Sequence, residues 1–298
     1  MWFIFALIHM FLMALVNYSD EYLTHSSTVK ESKNIHERIG GVLTASVLLT
    51  IIGIVASSIF AGTIFINSEA IILCLISSVF MFSTWVGYFY LFQKYSAHKI
   101  VALFGLSTLW LLAFEIGLGE TISIMALTGV LILVLSSYFI DIGHLKFTIP
   151  SSLLISMVGI SFCWAMTALL WRYAIDIHDD SFAIYFWHLV GITAFLPIIL
   201  CMKSYRKGFI DRVKNERSQF LGRSIFNESC SQLSFYFSVV AYALAPLATY
   251  VSALGGLQSL FLLLLFYIKP IGSRNSITMV QLGSIVGIAI GIGLLEIF

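Results

Sequence analysis

Runs of some twenty apolar residues recur from one end of this chain to the other, each closed by a short polar or charged break. Wound as a helix, roughly 20 such residues cross about 30 Å of hydrocarbon, and a helix satisfies its own backbone hydrogen bonds where no water is present. Membrane barrel strands would read as alternations of about ten residues, whereas these runs are longer and apolar on every side. The sequence therefore predicts an all-α integral membrane protein with ten transmembrane helices. They are expected over residues 2–24, 40–62, 69–93, 98–117, 121–140, 151–174, 182–202, 219–244, 247–268 and 276–297. With 59% hydrophobic and 10% charged residues among 298, no water-soluble globule could sort this chain into a core and a wet shell. The opening "MWFIFALIHMF" has neither a basic stretch nor a small-residue cleavage site, and is read as a retained first span.

Charge sets the expected orientation. Lys30, Lys33, Arg38, Lys94, Lys99, Lys146, Lys203, Arg206, Lys207, Arg212, Lys214, Arg217, Lys269 and Arg274 fall in connections one, three, five, seven and nine. The even connections hold Arg172. Basic residues stay cytoplasmic, so the odd-numbered connections are expected inside and both termini outside. The acidic "DIHDD" around Asp176, Asp179 and Asp180 then lies on the far side, with Glu69.

One string is written twice. "ALFGLSTLWLL" at 102–112 returns as "ALGGLQSLFLL" at 253–263, with seven of eleven positions identical after a shift of 151. The same shift pairs Phe11 with Phe162, Ala14 with Ala165 and Tyr22 with Tyr173. Five spans per half is an odd number, so the second half would enter the membrane from the opposite side. The chain is thus expected to be two inverted five-helix repeats, 1–146 and 147–298, an architecture that many secondary transporters use for alternating access.

The stretch "YFYLFQKYSAHKIVALFGLSTLWLLAFEIGLGE" at 88–120, its second copy "VVAYALAPLATYVSALGGLQSLFLLLL" at 239–265, and "ALVNYSDEYL" at the end of the first span resemble the EamA-like branch of the drug/metabolite transporter superfamily. The resemblance covers nearly the whole chain. It implies helices one to four and six to nine around a central cavity, helices five and ten at the periphery, and both termini in the cytoplasm, against the charge count. Glu120 in "GLGE" matches the acidic residue before the family's fifth helix, whereas the second copy carries Lys269 and Pro270 there.

Ionisable groups inside a span cost several kcal/mol and are usually kept for a pathway or a partner. Span eight, "FLGRSIFNESCSQLSFYFSV", is the richest: Arg223, Asn227, Ser231, Ser234 and Ser238 recur at three- and four-residue intervals on one face, with Glu228 and Gln232 beside them. Arg223 would suit an anionic group, and Glu228 a cation or proton. Span one offers His9 and Asn17, while Asp20 and Glu21 near its end read as water-exposed. Glu115 in span four and Gln258 in span nine complete the substrate-binding candidates, with Ser107, Thr108 and Ser259 at matching depth. His188 and Glu228 are the proton-coupling candidates. For each, packing or interhelical hydrogen bonding is the plain alternative. Trp85, Tyr88, Tyr90, Trp164 and Trp187 could line a cavity that holds a cationic amine.

Gly283, Gly287 and Gly291 form a small-residue face suited to a homodimer or to packing within the bundle. The four cysteines, within spans and without paired spacing, suggest neither a disulfide nor a metal site. No zinc-protease, nucleophile-elbow or Walker motif occurs, so no enzyme and no cofactor is expected. The basic run "KSYRKGFIDRVKNER" belongs beside anionic lipid, not nucleic acid. The reading is a secondary transporter, expected to export a small polar or amphiphilic metabolite by alternating access, in a bacterial inner membrane. The alternatives are translocation of a lipid-linked or nucleotide-linked sugar, a non-transporting subunit, or an intramembrane enzyme.

Overall fold

The computed structural model describes residues 1–24, 34–142, 149–268 and 278–296. Lys30, Lys33, Lys146, Lys269, Pro270 and Arg274 lie outside the described residues. The fold is all-α, with no strand among the described residues: α1 (Trp2–Thr24), α2 (Ile35–Phe60), α3 (Ser68–Phe92), α4 (Ala97–Val101), α5 (Gly105–Gly117), α6 (Ile124–Ile142), α7 (Ser151–Ile177), α8 (Ser181–Thr193), α9 (Leu196–Cys201), α10 (Lys203–Asn215), α11 (Arg217–Leu244), α12 (Ala248–Ala253), α13 (Gly255–Ile268) and α14 (Met279–Glu296). Seven segments are long and apolar enough to cross a membrane: α1, α2, α3, α4 with α5, α7, α8 with α9, and α12 with α13. Of the remaining expected spans, α6 and α14 are apolar but shorter. Asn, Gln, Ser and charged residues make α11 long but more polar.

Packing runs across the two halves of the chain. α1 lies along α11 and α13; α7 lies along α3 and α5; α2 meets α8, and α6 meets α14. Three expected spans are broken: 182–202 at Ala194 and Phe195 between α8 and α9, and two more, at 102–104 between α4 and α5 and at Leu254 between α12 and α13. A shift of 151 carries Leu103 onto Leu254, so the last two breaks fall inside the repeated string. The glycine face of α14 is taken up within the chain. A Cβ on Gly287 would meet Ser136 Oγ at 2.3 Å and one on Gly291 would meet Leu133 Cγ at 2.6 Å, both on α6, while only Gly283 of the three faces open space. The four cysteines are free.

The basic connection "KSYRKGFIDRVKNER", expected beside anionic lipid, is helical over Lys203–Asn215. In α10, Tyr205, Gly208 and Arg212 share one buried face against α2, and the charged residues between them face outward. This contact also starts α2 five residues earlier than expected, where Asn34 Oδ1 accepts from the His36 N–H at 3.0 Å. The crossing depends on missing side chains. A Cβ on Gly208 would sit 1.9 Å from the Glu37 carbonyl oxygen, and one on Gly40 would sit 2.3 Å from Tyr205 Cα. Gly208→Ala is expected to destabilise the protein by about 1–3 kcal/mol, because backbone must part from backbone. Gly222→Ala, on an open face of α11 with nothing within 4 Å, is expected to stabilise it by about 0.5–1 kcal/mol. Unfolding midpoints in detergent check both signs.

Candidate functional site

The polar face of α11 is buried along most of its length. Ser224, Asn227, Glu228, Ser231, Gln232, Ser234 and Ser238 are all covered, chiefly because α1 runs alongside. The α1–α11 seam is stitched at two depths. His9 Nδ1 lies 2.7 Å from Ser234 Oγ and 3.1 Å from the Ser234 carbonyl, while Ser234 Oγ donates to the His9 carbonyl at 3.0 Å. The serine proton is thereby used, which makes Nδ1 the donor. Eleven residues on, Asn227 Nδ2 donates to Asp20 Oδ1 at 2.9 Å.

Two small chambers open along this seam, each of about 40 Å³. That is room for one to a few waters, so neither admits a metabolite in this conformation. The first is lined by His9, Ser107, Thr108, Tyr242, Ser252 and Gln258, with Val134 and Ser137 of α6 at its edge. Thr108 Oγ1 and Ser252 Oγ are 2.9 Å apart, whereas the Gln258 amide has no hydrogen-bond partner among the described residues. The second is lined by Asn17, Asp20, Ser46, Tyr88, Asn227 and Glu228, under Trp85 and Phe235. Met13, Phe104 and Trp164 belong to both walls and form the waist between them.

Charge in the second chamber is one-sided. Asp20 is 2% exposed and Glu228 3% exposed, and no Lys or Arg lines the space. Among the described residues the ion pairs are Arg172–Asp176 and Lys207–Glu37, both elsewhere. Neutral groups supply what support there is. Gln232 Nε2 donates to Glu228 Oε2 at 3.4 Å and Tyr185 OH donates to Gln232 Oε1 at 2.6 Å. Ser46 faces Glu228, and the Tyr88 hydroxyl, which donates to Asn17 Oδ1, also faces Asp20. Asn17 Nδ2 and Asn227 Oδ1 are buried without a hydrogen-bond partner among the described residues. A buried donor and acceptor left open beside two carboxylates is costly unless a ligand or water completes them.

Five of the eight sequence candidates therefore line the chambers: Asn17, Asn227 and Glu228 together in the second, and His9 and Gln258 in the first. Three do not. Arg223 is exposed and stacks its guanidinium 3.9 Å over the ring of Tyr22, a cation–π contact on the outside of the bundle. Ser224 continues the buried stripe in its place. Glu115 is buried, but it accepts from the Ala248 N–H at 2.6 Å and the Thr249 N–H at 3.2 Å, and also from the Thr249 hydroxyl. It thus caps α12. His188 Nδ1 meets Ser77 Oγ at 2.7 Å and its ring packs on the edge of Trp171, away from both chambers. Asp20, which the sequence reading placed in water, is the important correction: α11 and α3 cover it. Of the aromatic candidates, Trp85, Tyr88 and Trp164 line the chambers. Trp187 instead donates to the Ile64 carbonyl at 2.8 Å, and Tyr90 carries Lys94 over its ring.

The ends of the site are tied by capping across helices. Glu21 Oε2 accepts from the Ala97 N–H, the first residue of α4, at 3.1 Å. Glu115 does the same for Ala248, the first residue of α12, and a shift of 151 superposes Ala97 on Ala248. One turn beyond Asp20, Arg212 Nη1 donates to the Leu23 carbonyl at 3.0 Å at the end of α1. Burial lowers Arg212 to about 10, so it remains charged at neutral pH.

No family model matches the chain, and no curated protein matches it. Among solved structures it is similar to a protein known by its crystal structure, with a TM-score of 0.62 over 96% of this chain and 98% of the other, at 11% identity. That likeness shows a shared fold along the whole length, and nothing of the activity.

Proposed function

We propose that this chain is a secondary transporter of ten transmembrane helices, arranged as inverted repeats 1–146 and 147–298, which moves a small polar or amphiphilic metabolite by alternating access. The repeat reading is supported by helix pairings that exchange under the 151-residue shift. α1 on α11 becomes α7 on α3, α1 on α13 becomes α7 on α5, and the pairs α2 with α8 and α6 with α14 map onto themselves. The two aligned helix breaks support it as well. The resemblance to EamA-like transporters agrees with this arrangement of chambers, except that α6 also touches the first one.

The observation that carries the transport reading is the buried pair Asp20 and Glu228, without a counter-charge and beside two unpartnered amides, in a chamber walled by both halves. Intramembrane charge of this kind marks pathways. Two chambers too small for a metabolite fit a contracted state, and rocking of the halves would widen them in turn. With no nucleotide motif, transport would run on an ion gradient, on exchange, or downhill. Odd-numbered connections would be cytoplasmic in a bacterial inner membrane, with the lipid bilayer around the bundle. Sugar translocation loses its anchor with Arg223 facing outward. The same two acids would also suit intramembrane hydrolysis.

The purified protein reconstituted in liposomes is expected to show saturable counterflow of its cargo, absent from empty liposomes. Product formed without flux would decide for hydrolysis, and neither flux nor product would overturn both.

A further inference from the structure

We propose that the two chambers together take a single elongate cargo: an organic monocation whose ammonium lies between Asp20 and Glu228, and whose far end is a neutral hydroxyl or amide met by Gln258. This rests on the transport reading. The charge argument comes first. One positive charge and one proton neutralise two carboxylates that have no basic residue around them, and a buried charge needs such a partner. The open Asn227 acceptor completes the shell of a group that carries its own donors, and the open Asn17 donor is left to a carboxylate oxygen or a water beside it. The wall opposite is aromatic, with Trp85, Tyr88 and Phe235, which suits an ammonium. A hard metal ion would want six to eight oxygens, and the described residues hold no cluster of three or more His, Cys, Asp or Glu side chains suited to a metal.

The first chamber has the opposite character. It contains no carboxylate and no Lys or Arg, and its Gln258 amide is without a partner. It would bind a neutral hydrogen-bonding group and reject a second ammonium, which would be buried there unpaired. Between the chambers the waist is Met13, Phe104 and Trp164, apolar and partly flexible, and so fitted to a methylene chain. His9 and Asp20 mark the two depths, about 16 Å apart along α1 at 1.5 Å per residue. The cargo is therefore long, and its binding requires Met13 and Phe104 to swing aside.

Titration calorimetry of the full chain in detergent tests this with ω-hydroxyalkylamines of increasing length, the matching n-alkylamines and α,ω-diamines, and ω-hydroxycarboxylates. Affinity is expected to peak at one chain length, with the hydroxyalkylamine about 10-fold or more tighter than the alkylamine or diamine of equal length. The hydroxycarboxylates should not bind. Gln258→Leu should erase the preference for the hydroxyl while leaving alkylamine affinity within about 3-fold, and Asp20→Asn together with Glu228→Gln should abolish binding of every amine. Glu228→Asp, which keeps the charge, controls for folding and should retain measurable binding. Carboxylates binding as well as amines, no dependence on length, or an unchanged preference in Gln258→Leu would overturn the proposal. Counterflow of an uncharged cargo that amines do not inhibit would sink this inference and leave transport standing. Amine binding as described without any counterflow would do the reverse.

Discussion

Changing Asp20 to Asn and Glu228 to Gln together is expected to stop counterflow while raising the unfolding midpoint of the protein in detergent. Both effects follow from one fact, that two carboxylates are buried at 2% and 3% exposure with only neutral neighbours. Losing a buried ammonium–carboxylate contact costs on the order of 2–5 kcal/mol, which is at least 30-fold in cargo affinity. The amides keep the shape and most of the hydrogen bonds without the desolvated charge, and removal of an unpaired buried charge stabilises by about 1–3 kcal/mol. Counterflow and a thermal scan on the same preparation read the two quantities. A double variant that still exchanges cargo would remove these acids from the pathway. One that is inactive and also unstable would make them structural.

Glu115→Leu should act in the opposite sense, as a large loss of stability. Its carboxylate accepts from the Ala248 and Thr249 N–H groups and the Thr249 hydroxyl. Leucine would leave those donors buried and unsatisfied, at about 1–3 kcal/mol for each group not rescued by water, giving about 3 kcal/mol in total. Glu115→Gln keeps an acceptor at the same place and is expected to cost about 1 kcal/mol. The comparison separates a cap from a general preference for polarity, since only a cap distinguishes the two variants this strongly. Equal midpoints for Leu and Gln would remove the cap from the account of α12.

Much of this architecture was legible because lipid imposes a simple code. Helix positions followed from apolar length, and the buried stripe of α11 followed from the recurrence of Asn227, Ser231, Ser234 and Ser238. Asp20 was missed for an equally physical reason. A carboxylate five residues from a helix end reads as wet unless a neighbouring helix overshoots it, and α11 does. The signal was present, since His9, Met13, Asn17 and Asp20 fall on one face of α1. The helix breaks at 102–104 and at Leu254 were hidden in the repeated string itself, where "ALFGL" and "ALGGL" looked like continuous span. Nothing in the local pattern marks Glu115 as a cap, because its partners lie 133 residues or more away. Arg223 and Asn227 have the spacing of one face, yet the exposed ring of Tyr22 gives the guanidinium a place outside the bundle. The helix at Lys203–Asn215 was obscured by its charges, although Tyr205, Gly208 and Arg212 keep the period of a half-buried face.

The waist at Met13, Phe104 and Trp164 bears on the energy supply of the membrane around the protein. On the transport reading proposed above, these three side chains, which belong to both walls, divide the room for water into two chambers, and closing together they would interrupt a continuous file of molecules. Protons and small ions hop or drift along such files, and a greasy plug one side chain thick breaks the circuit. A carrier of this design could sit idle in a charged membrane without draining it. Trimming Phe104 to make a roomier passage would trade that insulation for speed.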